Sequence, residues 1–343
     1  MNLKQRIQAF IKLGTRLKNT RNAQDILAAA YNQNRWFTSE NILYSAEVWA
    51  GTLTETNLKR WVQPYQNRIE QTESNAKKTG VINAGNIPFV GLHDFISVLI
   101  SGNTYVGKNA SDDNILLPYV ANLLIEAEPA FKGYIQFTDK FQTKDENAPS
   151  AFIATGTNNT SRYFEYYFSK YPHIIRKNRN AVAVLNGSET DEELKELGKD
   201  LFQYFGLGCR NVSKLYVPEG YKFDDFFKSI YGFSNVMQHN KYMNNFDYAN
   251  SLLLLKQVPF LQNGFMILKE DTRIPSPIAV LHYEYYRSNQ EMEEKLNAEA
   301  EQIQCIVSNI PLTAKNSIVK FGQAQSPALW DYADRSEEHT SEL

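Results

Sequence analysis

Two cysteines, Cys209 and Cys305, are the side chains best suited to nucleophilic chemistry, and their surroundings differ. Cys209 lies in Phe205-Gly206-Leu207-Gly208-Cys209-Arg210-Asn211. The two nearby glycines free the turn and expose the sulfur, and Arg210 would favour the thiolate. A lone cysteine can also be a small buried hydrophobe, and from the residues alone both readings of Cys209 stay open. Cys305, inside Ile303-Gln304-Cys305-Ile306-Val307, is expected to be buried. Gly102-Asn103-Thr104-Tyr105-Val106-Gly107-Lys108-Asn109 nearly spells a phosphate-binding loop. Asn109 stands where that loop needs Ser or Thr, and the run falls on a strand, so a nucleotide triphosphatase is disfavoured. Lys108 at the strand end can still meet a ribose or phosphate, or simply be solvated. Thr155-Gly156-Thr157-Asn158-Asn159-Thr160 joins a buried strand to a helix. Gly156 there lets the backbone approach a ligand, and Thr157 with the first helical N–H groups suits an anion. The basic run Arg176-Lys177-Asn178-Arg179 reads as a solvated connection or an anion clamp. His93, His173, His239, His282 and His339 show no metal-ligand spacing, and no G-x-S-x-G occurs. Metal and serine-hydrolase chemistry are disfavoured on that pattern.

The elements that must position these groups follow from composition and pattern. The chain has 343 residues, enough for about two domains. Its 36 Lys+Arg against 38 Asp+Glu leave a net charge of −2, which argues against a nucleic-acid binder held by a basic surface. Hydrophobic residues make up 43% and aromatics 13%, ample for a core. Two cysteines are too few for a disulfide scaffold. The N-terminus lacks the apolar stretch of a signal peptide, and no window approaches the ~20 apolar residues that span a bilayer. The Asn-x-Ser/Thr triplets at Asn109 and Asn211 are then chance matches, and a cytoplasmic protein is expected.

Residues 1 to 75 read as helices, with apolar stripes at Ile7, Phe10, Ile11 and Leu17 and at Ile26, Leu27, Ala30 and Tyr31. Thr38 or Ser39 is a candidate N-cap. From Gly80 short strands and helices alternate: strands near 81–84, 104–106, 134–137, 151–154 and 181–185, with helices between. A composition break at Asn186-Gly187-Ser188-Glu189-Thr190 precedes a helix over 191–204, capped by Ser188 or Thr190. A second such unit follows, with strands near 214–217, 265–268 and 278–281. The pattern predicts an α/β fold with mainly parallel sheets. Its expected domains are 1–187 and 188–312, with a return segment 313–334. Residues 335–343, RSEEHTSEL, match the translation of a common sequencing-library adapter. They are expected to be a cloning or assembly scar, with the true C-terminus missing.

In order along the chain these pieces resemble the aldehyde dehydrogenase superfamily. Asn83-Ala84-Gly85-Asn86-Ile87-Pro88 looks like its Asn-x-Pro turn, 102–108 like its GNTVVxK strand, Ala154-Thr155-Gly156-Thr157 like its TGS turn, and Gly206-Leu207-Gly208-Cys209 like its GQxC loop. More closely the chain is similar to LuxC-type acyl-CoA reductases, through AGNIPFVGLHDF, IATGTNNTSRYFEYYF, IIRKNRNAVAVL, YFGLGCRNVSKLYVP and SPIAVLHYEYY. The resemblance covers about Gly80 to Asp334. It implies a Rossmann-like cofactor domain, a catalytic α/β domain and a site in the cleft between them. It implies Cys209 as nucleophile, Asn86 as oxyanion donor, and Lys108, Gly156 and Thr157 as cofactor contacts. The activity implied is NAD(P)H-dependent reduction of a fatty acyl-CoA to the aldehyde through an acyl-cysteine. The rivals are an ordinary aldehyde dehydrogenase and a non-redox acyl carrier or acyltransferase. Implied partners are the acyl-CoA, a second copy of the chain in a homo-oligomer, and an acyl-protein synthetase or thioesterase.

Two departures from the family pattern matter. Aldehyde-oxidising relatives carry a Glu in an ELGG segment, and here the corresponding stretch is Ile174-Ile175-Arg176-Lys177-Asn178. The family's EIFGP segment corresponds only to Arg273-Ile274-Pro275-Ser276-Pro277, which leaves the carboxylate on the nicotinamide ribose unassigned. NAD-preferring relatives also place a Glu three residues after the strand-end Lys. Ser111 occupies that position, so NADPH is expected to be accepted and preferred, with NADH possible. Asp112 and Asp113 follow directly and would restore repulsion if the helix starts later.

Overall fold

Apolar residues at helical spacing bury one face of each N-terminal helix. In α1 (Leu3–Leu17), capped by Asn2, the side chains of Phe10, Leu13 and Leu17 are sealed from solvent. The helices α2 (Gln24–Gln33), α3 (Ser39–Thr52), α4 (Glu55–Val62) and α5 (Gln66–Thr72) follow. Thr38 caps α3 by accepting from the Asn41 N–H. Tyr31 departs from the expected stripe: it is exposed, with the Arg35 guanidinium over its ring. The computed structural model describes residues 1–72, 76–142, 148–156 and 158–332. Thr157 and the RSEEHTSEL tail lie outside the described residues.

The chain divides into two units, Met1–Lys177 with the residues from Ala328 onward, and Asn178–Pro327. In the first, β1 (Lys78–Ile82), α6 (Leu92–Ile100), β2 (Thr104–Lys108), α7 (Leu116–Ala127), β3 (Ile135–Phe137), β4 (Ala151–Thr155), α8 (Asn158–Phe168) and β5 (His173–Arg176) alternate. The sheet runs β3-β2-β1-β4-β5, with every pairing parallel. Its order turns back between β1 and β4, which is the switch point where such sheets bind ligands at their carboxyl ends. The core joins the N-terminal helices to this sheet through Phe10, Ile42, Trp61, Phe95, Tyr105 and Leu124. Leu329 belongs to it too, and the Tyr332 ring stacks on His93 at 3.5 Å.

In the second unit, β6 (Asn180–Val184), α9 (Asp191–Phe202), β7 (Val212–Pro218), α10 (Asp224–Ile230) and α11 (Asn240–Leu255) lead to β8 (Leu261–Gln262), β9 (Ile267–Glu270) and β10 (Val280–Tyr286). Then come α12 (Asn289–Ala298), β11 (Ile303–Val307) and β12 (Ile318–Val319). This sheet runs β12-β11-β6-β7-β10-β9-β8, and only the β8–β9 pairing is antiparallel. Thr190 and Glu193 form a capping box at the start of α9. The passage between units falls at Lys177 rather than near Gly187, because Asn180–Val184 pairs with β7 and β11. Likewise the last strand read from the sequence near 278–281 begins at Val280 and runs on to Tyr286. Ala279 just before it takes a left-handed φ of 64°.

Candidate functional site

At the carboxyl edge of the first unit's sheet, the Ile82 end of β1 stands beside Lys108 on one side and Ala154 on the other. Lys108 is exposed there, and its carbonyl accepts from the Asn83 N–H at 2.9 Å. Asn83 is buried, and its amide donates to the Tyr105 hydroxyl at 2.7 Å and to Asn109 Oδ1 at 3.2 Å. So Asn109, itself half-buried, braces the strand end. Gly107 leaves room for the Tyr105 ring, since a Cβ there would collide with it. The near-match to a phosphate loop is therefore a buried brace under Lys108, consistent with its place on a strand. Burial raises the Tyr105 hydroxyl well above its ordinary pKa, so it stays protonated.

Asn86 is exposed on the turn between β1 and α6. Phe89, buried with φ 58°, ends that turn, and Ser45 from α3 donates to the Pro88 carbonyl at 3.1 Å. Asn34, just past α2, donates to the Gly85 carbonyl at 3.2 Å. Gln33 grips the loop after β2 on both sides, donating to the Ser111 carbonyl at 2.8 Å and accepting from the Asn114 N–H at 3.3 Å. Ser111 and Asp112 are both exposed, with the Ser111 hydroxyl donating to the Asp112 carboxylate at 3.4 Å. Asp113 is buried and accepts from the Ile115 and Leu116 N–H groups, and burial raises its carboxyl. Gly156 follows β4, its N–H donating to the Arg176 carbonyl at 3.3 Å.

Arg176 corrects the sequence reading of its basic run. It ends β5 opposite Thr155, and its guanidinium grips Asp94 of α6 with two bonds of 2.5 and 2.6 Å. A further bond of 3.3 Å reaches the Thr155 hydroxyl. The pair is mostly buried, so Arg176 is a brace across β4, β5 and α6, neither a solvated connection nor an unengaged clamp.

In the second unit, Cys209 is exposed and Cys305 is buried, and neither is in a disulfide. Cys209 sits in the turn between α9 and β7. The backbone reverses through three consecutive left-handed residues, Tyr204 (φ 52°), Phe205 (φ 58°) and Gly206 (φ 78°). Only glycine takes that conformation without penalty, so the two aromatic residues hold local strain. The turn Gly208–Asn211 closes with the Asn211 N–H donating to the Gly208 carbonyl at 3.0 Å. Asn211 is 1% exposed, so its side chain serves the interior of the fold rather than the surface. Ser213, two residues on, donates to the Ile274 carbonyl at 2.7 Å and so seats the Arg273–Pro277 segment on the sheet. The carboxylate just before that segment is Asp271, bound by Lys269 at 2.5 Å and by Arg273 at 2.6 Å. Arg273, then Lys269, hold its carboxyl well below the usual range although partial burial opposes them.

Structure thus brings Asn86, Lys108, Ser111 and Gly156 to one edge of one unit and places Cys209 on the other unit. Among the described residues no group of His, Cys, Asp and Glu could hold a metal ion, and no helix is long and apolar enough to cross a membrane. The residues that sequence reasoning missed, Gln33, Asn34, Asp94 and Asn211, are polar side chains whose partners are backbone groups or distant charges. Only Asn211 carried a local signal, its place two residues after the glycine-flanked cysteine.

The fold is that of the aldehyde dehydrogenases. An NAD-dependent benzaldehyde dehydrogenase from Corynebacterium glutamicum matches over 99% of this chain and 84% of its own, at 12% identity and a TM-score of 0.66. Aldehyde dehydrogenase 21 from Physcomitrella patens, solved with the product succinate, matches over 96% and 79%, at 14% identity and a TM-score of 0.65. An NADP-dependent enzyme from E. coli matches over 94% and 78%, at 12% identity and a TM-score of 0.64. No protein-family model and no curated protein matches the chain.

Proposed function

We propose that the protein is a nicotinamide-dependent oxidoreductase that reduces a fatty acyl-CoA thioester to the aldehyde through an acyl-Cys209 intermediate. The observation that carries the reading is the exposed Cys209 thiol, presented in a closed turn at the start of β7, while the chain's other thiol is buried in β11. Placed so, the Cys209 thiolate attacks the thioester carbonyl, its S–C bond forms, and the CoA thiolate leaves and takes a proton. The Asn86 amide and the Cys209 N–H are the proposed donors to the developing oxyanion.

The residues at the first unit's sheet edge suit a dinucleotide. The strand order turns back between β1 and β4, the Thr155-Gly156 turn follows β4, and Lys108 and Ser111 offer a cation and a hydroxyl after β2. Lys108, Ser111, Gly156 and Thr157 are the proposed contacts. A reduced nicotinamide held by these residues would supply a hydride to the acyl carbon, and the S–C bond to Cys209 would then break to release the aldehyde and return the Cys209 thiolate. The stretch Ile174–Asn178, which by resemblance corresponds to the Glu-bearing segment of hydrolytic relatives, holds no carboxylate, and its Arg176 guanidinium is committed to Asp94. That supports release by reduction over release by water.

Purified protein mixed with NADPH or NADH and a panel of acyl-CoAs is expected to consume the reduced-nicotinamide absorbance. Without reductant, mass spectrometry is expected to find the acyl group on Cys209. The fold matches to aldehyde dehydrogenases favour one second reading, oxidation of an aldehyde with NAD(P)+. Oxidation without CoA, in the absence of any acyl-CoA reduction, would replace the first reading by the second.

A further inference from the structure

We infer that Asn211 is the positioning residue of the nucleophile, the side chain that holds the Cys209 turn in its reactive shape; this rests on the reading of Cys209 as the acylated thiol. The segment Gln203–Asn211 leaves the end of α9, reverses through Tyr204, Phe205 and Gly206, and returns to β7. Asn211 closes the neck of that loop. Its amide nitrogen donates to the Asp200 carbonyl at 3.0 Å and the Gln203 carbonyl at 2.8 Å, with Leu201 at 3.4 Å sharing. Asp200 and Leu201 lie in the last turn of α9, whose carbonyls have no partner within the helix. Asn211 thus caps α9 from outside it.

The amide oxygen accepts from the Gly208 N–H at 2.8 Å, while the Asn211 N–H donates back to the Gly208 carbonyl at 3.0 Å. Both backbone groups of Gly208 are therefore held by one residue. Cys209 and Arg210 become the two central residues of a four-residue turn closed at both sides, and Cys209 is left as its exposed member. With two donors and one acceptor in a plane, the carboxamide meets all of these groups. A carboxylate of the same shape would set oxygen against the α9 carbonyls and push the neck apart.

The neck also bears the local strain, because two of the three left-handed residues carry side chains. Loss of the amide frees one side of the turn, and the thiol spreads over orientations of which few face a thioester. Misplacement of a reacting group by about 1 Å costs on the order of 10²-fold in rate. The nucleophile's reactivity is thus set by a residue that does not itself react.

The test uses the full chain with Asn211→Asp and Asn211→Ser. Acylation of Cys209 by an acyl-CoA and its alkylation by iodoacetamide are followed by mass spectrometry across pH. Cys305, fully buried, reports unfolding in the same molecules. Acylation is expected to fall about 10²-fold in both variants with Cys305 still protected. In Asn211→Asp the ratio to wild type should climb as pH falls, because a protonated carboxyl regains a donor and loses its charge. Acylation within about threefold of wild type in both variants overturns the inference, as does labelling of Cys305 in step with the loss at Cys209. If wild-type protein is never acylated, the reaction proposed above falls instead. The alkylation ratios then decide by the same criterion whether Asn211 shapes the turn.

Discussion

At the sheet edge of the first unit, the loops that carry Ser111, a proposed cofactor contact, and Asn86, the proposed oxyanion donor, are fixed from far along the chain. Gln33 grips the Ser111 loop, Asn34 the Gly85 carbonyl and Ser45 the Pro88 carbonyl, all from the N-terminal helices. In the second unit, the cysteine turn is closed by Asn211, two residues beyond Cys209, against the end of the helix just before it. One edge is held by hydrogen bonds from far along the chain, and the hydrogen bonds that close the other are local. The difference teaches where mutations of the supporting side chains should act: on the thiol turn they should be local and severe, and on the sheet edge distributed and graded.

The sharpest break of that comparison is at the thiol. Cys209→Ser or Cys209→Ala should abolish acylation and aldehyde formation, while Cys305→Ser leaves turnover largely intact. Peptide mass spectrometry after incubation with acyl-CoA checks this, and an acyl group on Cys305 would reverse the assignment.

The end of α9 also titrates. Asp200 is fully buried and accepts from the Gly322 and Ala324 N–H groups at 2.6 and 2.9 Å, yet burial dominates and pushes its carboxyl up to about 7. The folded state therefore holds a proton that the unfolded chain, with a carboxyl near 4, releases. Stability from this group is full below about pH 4 and is lost as pH rises through about 7, at up to about 1.4 kcal/mol per pH unit. Urea midpoints measured from pH 4.5 to 8 should fall across this window in wild type and flatten in Asp200→Asn. Parallel slopes in the two proteins would assign the effect elsewhere. The comparison sharpens here because Asp200 also offers its carbonyl to Asn211, so acylation should track this transition more closely than cofactor affinity does.

How much of this was legible follows the same divide. The caps at Thr38 and Thr190 were readable because capping is local, with Glu193 only three residues from Thr190. The exposed setting of Cys209 was suggested by its flanking glycines. Arg176 was misread because its partner Asp94 lies 82 residues away, and no spacing rule reaches that far. The course of β10 was read short because His282, Tyr283 and Glu284 break the apolar run. Glu284 tolerates its place by pairing at 2.6 Å with Lys214, a fully buried lysine on the neighbouring strand. Gln33 was invisible for the reason Arg176 was misread, its contact with Ser111 spanning 78 residues.

At the first unit's edge, Asn86→Ala should lower the acylation rate by roughly 10²–10³, as for loss of one oxyanion donor, with a smaller effect on cofactor affinity. Single-turnover acylation and equilibrium cofactor titration separate the two. A normal rate with weakened cofactor binding would make Asn86 a cofactor residue and leave the thiol turn to act without it.

The smallest effect expected is on cofactor choice. Ser111 follows the exposed Lys108 by three residues and offers a hydroxyl where a carboxylate would repel a 2′-phosphate, and Lys108 is a point charge able to meet one. NADPH should therefore be accepted, and preferred over NADH. Against it stands Asp112, exposed and bonded to the Ser111 hydroxyl, so the loop carries both an invitation and a repulsion. Exposed charges act weakly through solvent, and removal of the repulsion by Asp112→Asn should raise the NADPH-to-NADH ratio of kcat/KM by about threefold to tenfold. Gln33→Ala, which loosens the loop from outside, should move the same ratio less and leave Cys209 acylation untouched. A wild-type kcat/KM clearly higher for NADH would overturn the preference and assign the ribose contact to Asp112. A Gln33→Ala protein that loses acylation as well would dissolve the contrast between an edge held from afar and a turn that holds itself.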